Sequence, residues 1–332
     1  MPAYNASQFI KDAIESILVQ TFRDFEFIII NDGSTDNTES IIRSYNDERI
    51  KYIKNEKNLG LIASLNKGLN IAAGTYISRM DADDIALPER LKLQLDYFNK
   101  FPDTIAVGSD YFLLQNKKLS RVKNVNDSDY LKGILLFSPC FCHPSVMFKK
   151  EISGKVAEYK REYLHAEDYK MWTDLSLTGK FGNVNVPLLK YRAHNSQISY
   201  NNRLAQQKIS ERIREEYYEQ LGFSLSNGEL RALHIVGNNV FITSEEILRD
   251  IDKALLSLKK QNESLKKFNT LSFERLLLKF WSDSCGYTNL GMRAFRIFLS
   301  SRLSASASFS LRFKVLAKSI IRKYRNPLKQ FL

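Results

Sequence analysis

Apolar positions along the first hundred residues alternate between two rhythms, and that alternation predicts a fold class. Ile10, Ala13, Ile14, Ile17 and Leu18 recur at helical spacing, and Asn5 with Gln8 ahead of them matches a capping box. Phe25 to Ile30 is a continuous aromatic and β-branched run, too short for a helix and suited to a parallel strand covered on both faces. The rhythm continues with a helix over 36–45, a strand over 50–53, a helix from Gly60 to Ala73 stopped by Gly74, and a strand over 75–80. Pro88 suits the first turn of a helix that closes before Pro102, and Ile105 to Asp110 reads as another strand. Strict alternation with short connections predicts an α/β fold, a doubly wound, mostly parallel, Rossmann-like sheet whose ligands bind beyond the carboxyl ends of the strands. Asp32 and Asp81 stand at two such ends.

Regularity weakens after residue 110. Segments 131–137 and 145–148 precede a predicted helix over 166–177, stopped by Gly179, and a strand over 186–191; beyond Asn201 the pattern is helical almost throughout. At its start, Met1-Pro2-Ala3-Tyr4-Asn5 reads as the end of a strand entering a turn, so a first strand is expected upstream. With 44% hydrophobic residues in 332 and no low-complexity tract, the chain is expected to bury a full core. Cys140, Cys142 and Cys285 are too few and too irregularly spaced for a disulfide framework or a four-ligand zinc site, which fits a reducing cytosol. Cys140 and Cys142 read as small buried residues on one strand face. No apolar run reaches bilayer-spanning length and no signal-like segment opens the chain, so it is expected in the cytosol or lying on a membrane.

Asp81-Ala82-Asp83-Asp84 places three carboxylates in four residues directly after a buried strand. Such crowding is costly without a cation. Mg²⁺ or Mn²⁺ suits it, because these ions take one or two protein carboxylates and complete their shells with water and phosphate oxygens. The other reading of the same residues is a solvated acidic loop that caps the helix after Pro88.

Six motifs in order carry a resemblance to the family 2 glycosyltransferases of GT-A fold. Pro2-Ala3-Tyr4-Asn5-Ala6 resembles the family's opening motif, Asn31-Asp32-Gly33-Ser34-Thr35-Asp36 its nucleotide-binding turn, and Arg79-Met80-Asp81-Ala82-Asp83-Asp84 its DXD motif. His143-Pro144-Ser145-Val146-Met147, Ala166-Glu167-Asp168 through Trp172, and Tyr191-Arg192-Ala193-His194 are similar to its later blocks. The coverage is roughly residues 1–200.

The resemblance implies roles for individual residues. Asp32 would accept the imide N–H of uracil, with Ala3 and Tyr4 helping to hold the base. Cytosine presents no donor at that ring nitrogen, so a UDP-sugar donor is expected. Asp81 would lie near the ribose and the metal, and Asp83 would bind the metal that bridges the diphosphate. Asp168 matches the family's general base, taking the acceptor hydroxyl's proton during an inverting attack, and its place at a helix N-terminus is expected to keep it ionised. Glu167, Trp172, Arg192, His194 and His143 are candidates for diphosphate or acceptor contacts, Trp172 either stacking on an acceptor sugar or packing in the core. Some relatives place an Arg at the start of the helix that Gly60 opens here; Lys67, Arg192 and His194 are the candidates to replace it. The implied organisation is a nucleotide-sugar-binding half over 1–105, an acceptor-binding and catalytic half over 106–202, and a helical region over 203–332 with a basic amphipathic tail.

Two other functions compete with this one. A nucleotidyltransferase would usually carry a Gly-rich, basic phosphate loop after its first strand, and Pro2 to Ser7 has neither feature. A non-catalytic sugar-nucleotide-binding protein would not need Asp168.

Charge adds a partner. The net charge is +12, yet Asp283 is the last acidic residue and ten Lys or Arg follow it, so the body is close to neutral and the tail carries the excess. Phe313, Leu316, Ala317, Ile320 and Tyr324 recur at helical spacing, with Lys314, Lys318, Arg322 and Arg325 as the opposite stripe. Such a helix is suited to the headgroup region of an anionic membrane, where it would hold the protein on the inner face of the plasma membrane beside lipid-linked acceptors. Packing of the tail against the body is the alternative. Nucleic acid is not expected, since no binding motif accompanies the basic stretch.

Overall fold

The computed structural model describes residues 1–152, 154–193 and 202–323. They form two compact units, one of residues 1–131 and 139–210, the other of residues 132–138 and the chain from 211 onward.

The first unit opens with β1 (Pro2–Ala3), α1 (Ile10–Leu18), β2 (Phe27–Asn31), α2 (Thr38–Arg43), β3 (Ile50–Lys54) and α3 (Leu61–Ile71). The three strands form a parallel sheet in that order, with Pro2 beside Ile30 and Phe27 beside Ile50. Ile29 and Ile30 are both buried, as an unbroken β-branched run in a doubly covered strand requires, and Ile29 shares a core with Ile10, Ala13 and Ile14 of α1. Asn5 does not cap α1. At φ 47° it turns the chain, a conformation that Asn tolerates, and its Oδ1 accepts the Thr35 N–H at 2.9 Å, tying the turn after β1 to the turn after β2.

The unit continues through β4 (Tyr76–Ser78), β5 (Ile85–Ala86), α4 (Arg90–Lys100), β6 (Thr104–Gln115), β7 (Lys118–Val122), the start of α5 (Ser128–Ile134), β8 (Met147–Lys149), β9 (Glu151–Ile152), β10 (Lys155–Val156), α6 (Glu167–Ser176) and β11 (Lys180–Arg192). A second sheet runs β4-β8-β6-β11-β5, with β7 on β6; β6 and β11 pair in parallel and the other neighbours antiparallel. Parallel alternation thus builds the sheet that carries Asp32, while the second sheet is mixed. One reason is local: Asn116 and Lys117, at φ 48° and 62°, make a two-residue hairpin turn that returns β7 along β6 and lengthens β6 beyond its predicted end. Pro187 sits at a register shift of β11, where a residue without an N–H does least harm. Cys140 and Cys142 lie in irregular chain before a 3₁₀ turn, His143–Ser145, rather than on a strand.

The second unit is helical, comprising the later part of α7 (Arg203–Leu221), then α8 (Asn227–Gly237), α9 (Glu245–Leu265), α10 (Thr270–Gly286), α11 (Met292–Ser300) and α12 (Phe309–Lys323). Leu255, Leu258, Phe273, Leu276, Leu277 and Trp281 are all buried and supply its core. On α12, Val315 and Ser319 are buried and Lys318 reaches Asp283 of α10 at 3.3 Å, so the predicted basic stripe is partly spent on packing. Phe309, Phe313, Ile320 and Ile321 are exposed instead. Tyr324 and Arg325 lie outside the described residues. No helix among the described residues is long and apolar enough to cross a membrane.

Candidate active site

The first part of the site is the turn after β2. Gly33 is required there: its φ is 72°, and a Cβ would stand 2.6 Å from the Lys57 carbonyl carbon. The turn presents Asp32, only 4% exposed. Its Oδ1 accepts from Asn55 Nδ2 at 2.7 Å and from the Leu59 N–H at 2.9 Å, and its Oδ2 accepts from the Gly60 N–H at 2.9 Å. Asp32 therefore pins the start of α3. A carboxylate has about four acceptor sites, so among the described residues one on Oδ2 is unspent. Asn55 and the 59–60 amides were missed in the sequence reading; the available signal was that Asn55 follows β3 as Asp32 follows β2.

Ala3 and Tyr4 divide. Ala3 is buried in the core and meets Asp32 through its backbone, its carbonyl accepting the Asp32 N–H at 2.8 Å. Tyr4 is 48% exposed and offers a ring face.

The second part follows β4. Arg90, fully buried on α4, donates from Nη2 to the Arg79 carbonyl at 2.6 Å and so fixes the strand end. Beyond it, Asp81, Asp83 and Asp84 each bring a carboxylate oxygen within 4.8 Å of the others. Asp81 is ion-paired with Arg79. Asp84 is buried; its Oδ1 accepts the Arg192 N–H at 2.8 Å, and its Oδ2 has no hydrogen-bond partner among the described residues. Burial, reinforced by Asp81 and Asp83, pushes the Asp84 carboxyl well above the ordinary range, and burial with Asp83 raises Asp81 against the pull of Arg79. Hard oxygen donors, like charges crowded together and an orphaned buried oxygen fit a divalent cation such as Mg²⁺ or Mn²⁺.

The third part is the start of α6. Asp168 is half-buried and its Oδ1 accepts the Tyr169 N–H at 2.7 Å. Burial first and Glu167 second push its carboxyl up to about 7. The expected hold of the helix terminus on the ionised form is therefore outweighed by desolvation and a like charge. Glu167 is 7% exposed, its Oε2 has no hydrogen-bond partner among the described residues, and burial raises it too. Arg79 is the cation that opposes both shifts.

The remaining candidates separate. Trp172 is fully buried, with Phe141, Phe148 and His143 around its ring at 5.5, 5.8 and 6.0 Å between centroids, so it packs in the core and cannot stack on an acceptor. His143 places Nε2 2.8 Å from the Tyr159 hydroxyl, and burial, then Arg79, holds it well below the usual histidine range. Arg192 gives its backbone N–H to Asp84, while its guanidinium ion-pairs with Asp12 and lies over the Phe9 ring at 5.2 Å. His194 lies outside the described residues. Lys67 donates from Nζ to Asn55 Oδ1 at 2.7 Å. A cavity of about 1190 Å³, lined by Ile28, Leu69 and Tyr76 among others, reaches this site at Arg79, while none of Asp32, Asp81, Asp83, Asp84 and Asp168 lines it.

Comparison with known proteins places the chain among relatives of one kind. Residues 1–156 match the model of glycosyl transferase family 2. An uncharacterized glycosyltransferase of Haemophilus influenzae is 33% identical over 274 residues, which span 76% of this chain and 85% of that protein. The Escherichia coli protein named UDP-Glc:alpha-D-GlcNAc-diphosphoundecaprenol beta-1,3-glucosyltransferase WfgD is 28% identical over 203 residues, 60% of this chain and 78% of that protein. The crystal structure of S. aureus TarS 1-349 in complex with UDP covers 98% of this chain and 91% of that chain, with a TM-score of 0.50 at 15% identity, and has the same fold.

Proposed function

The chain belongs to glycosyl transferase family 2 and is a glycosyltransferase of GT-A fold, and on that premise we propose that it transfers a sugar from a UDP-sugar to a hydroxyl of a saccharide or lipid-linked saccharide, with inversion. The observation that carries this reading is the division of carboxylates in one unit between a cation-seeking cluster, Asp81, Asp83 and Asp84, and a separate base, Asp168, poised at about 7. On this reading Asp32 Oδ2 receives the uracil imide N–H and the Tyr4 ring covers the base. Asp81, Asp83 and Asp84 would hold Mg²⁺ or Mn²⁺, which would supply positive charge to the donor's diphosphate. Asp168 takes the acceptor proton, and a base near 7 balances availability against proton affinity at neutral pH. The UDP bound to TarS and the UDP-Glc in the name of WfgD support a uridine donor, and the lipid diphosphate in that name supports a lipid-linked acceptor.

The membrane belongs to the same proposal. The exposed Phe309, Phe313, Ile320 and Ile321 of α12, with no acidic residue after Asp283, support a helix seated in anionic headgroups on the cytoplasmic face. The test of the activity is to incubate the protein with UDP-, GDP- and CDP-sugars, with Mn²⁺ or EDTA, and measure nucleotide release. Metal-dependent UDP release is the expected result; release from GDP- or CDP-sugars alone overturns the uridine reading.

A further inference from the structure

We infer that Lys67 and Asn55 are positioning residues that determine which nucleobase Asp32 accepts. The inference rests on the reading of Asp32 as the carboxylate that meets the donor base.

Three side chains form a chain of contacts: Lys67 Nζ to Asn55 Oδ1 at 2.7 Å, Asn55 Nδ2 to Asp32 Oδ1 at 2.7 Å, and Asn55 Nδ2 to Ser64 Oγ at 3.1 Å. An amide has a donor end and an acceptor end of nearly equal size, so its neighbours decide which way it faces. An ammonium has donors only, so the atom facing Lys67 must be the oxygen. That turns Nδ2 toward Asp32. Asn55 is 2% exposed and its backbone N–H is held by the Asn31 carbonyl at 2.8 Å, so the residue has little freedom to settle otherwise.

The consequence falls on Asp32. With Asn55 and Leu59 both donating to Oδ1, that oxygen is full, and the single unspent acceptor site lies on Oδ2. One acceptor facing the base accepts a ring N–H, which uracil has and cytosine lacks; cytosine would set a lone pair against a lone pair. Without Lys67 the Asn55 Oδ1 is left buried with its donor gone, and only Asp32 still orients the amide. The amide and the carboxylate it holds can then shift, and the discrimination relaxes. Lys67 thereby acts through Asn55 on base choice, a role distinct from that of a cation on the donor phosphates, for which the sequence also made it a candidate.

The experiment is calorimetric titration of the full chain with UDP and with CDP, both in Mn²⁺, for wild type, Lys67→Met, Lys67→Arg and Asp32→Asn. The expected result is a preference for UDP that falls about tenfold or more in Lys67→Met and returns in Lys67→Arg, the scale set by leaving one buried polar group without its partner. Equal weakening of UDP and CDP in Lys67→Met would make it a phosphate contact and overturn the inference, as would an unchanged preference. Asp32→Asn distinguishes the two levels. If it abolishes the preference while Lys67→Met does not, only the positioning role fails. If Asp32→Asn leaves the preference intact, or wild type shows none, the donor-site reading itself fails.

Discussion

The buried carboxylate of Asp84 accepts the backbone N–H of Arg192 at 2.8 Å through Oδ1 and keeps Oδ2 unpaired among the described residues. The contact closes the loop after β4 onto the end of β11, 108 residues away. It also leaves one oxygen of the cluster in want of a cation.

Stability of the metal-free protein is expected to carry the signature of that cluster. Burial and mutual repulsion raise Asp84 and Asp81 in the folded state. Their contribution is therefore fully present below the ordinary carboxylate pKa of about 4 and is lost as pH rises through the raised values. Asp84→Asn should flatten the fall of melting temperature as pH rises above about 4. Mn²⁺ at pH 7 should raise the wild-type melting temperature, with about 2.7 kcal/mol at a hundred times Kd, and should do little for Asp83→Ala. Thermal melts with and without EDTA decide; a wild type indifferent to Mn²⁺ and Mg²⁺ sinks the metal assignment.

Asp168→Asn is expected to lower transfer by roughly a hundred- to ten-thousand-fold while UDP binding stays near wild type, because the residue acts on the acceptor proton. Its carboxyl stands at about 7 in the metal-free, donor-free protein, and Glu167 contributes to that rise. The rate should therefore fall as pH drops through neutrality. In Glu167→Gln the acid limb should move to lower pH, since a like charge has gone. Profiles of kcat/KM against pH test both, and an upward move in Glu167→Gln contradicts the pairing.

Trp172→Ala should cost about 3–5 kcal/mol of stability, the usual penalty for emptying a fully buried aromatic site. Its effect belongs to folding. Urea unfolding measures the loss, and an acceptor KM that worsens in the folded fraction with little change in stability would return Trp172 to the acceptor site.

Phe309→Ser with Phe313→Ser should release the full chain from anionic vesicles without lowering its melting temperature, because both rings are exposed. Sedimentation with phosphatidylglycerol and with neutral vesicles, at low and high salt, is the measurement. Binding by wild type that ignores both lipid charge and salt would exclude an electrostatic anchor.

Much of the first hundred residues was legible because burial there follows local periodicity. The run Phe25 to Ile30 and the stripe Ile10 to Leu18 each needed only their own spacing to declare a strand and a helix. Asn5 was misread for the same reason: a capping pattern is local, but its side chain answers to Thr35 across the sheet.

The sequence by itself determined the element order of the parallel sheet, the placing of Asp32 and Asp81 at strand ends, the identity of a carboxylate cluster, and a tail without acids. Only the tertiary structure decided which polar groups are already spent. It turned Lys67 onto Asn55 and Arg192 onto Asp12, buried Trp172 with its ring against His143, and packed Lys318 against Asp283. It also raised Asp168 to about 7, where the sequence pointed to a helix terminus holding it ionised. The physical reason is that a side chain's protonation and hydrogen-bond partners depend on desolvation and on neighbours brought from tens of residues away, and no spacing along the chain encodes either.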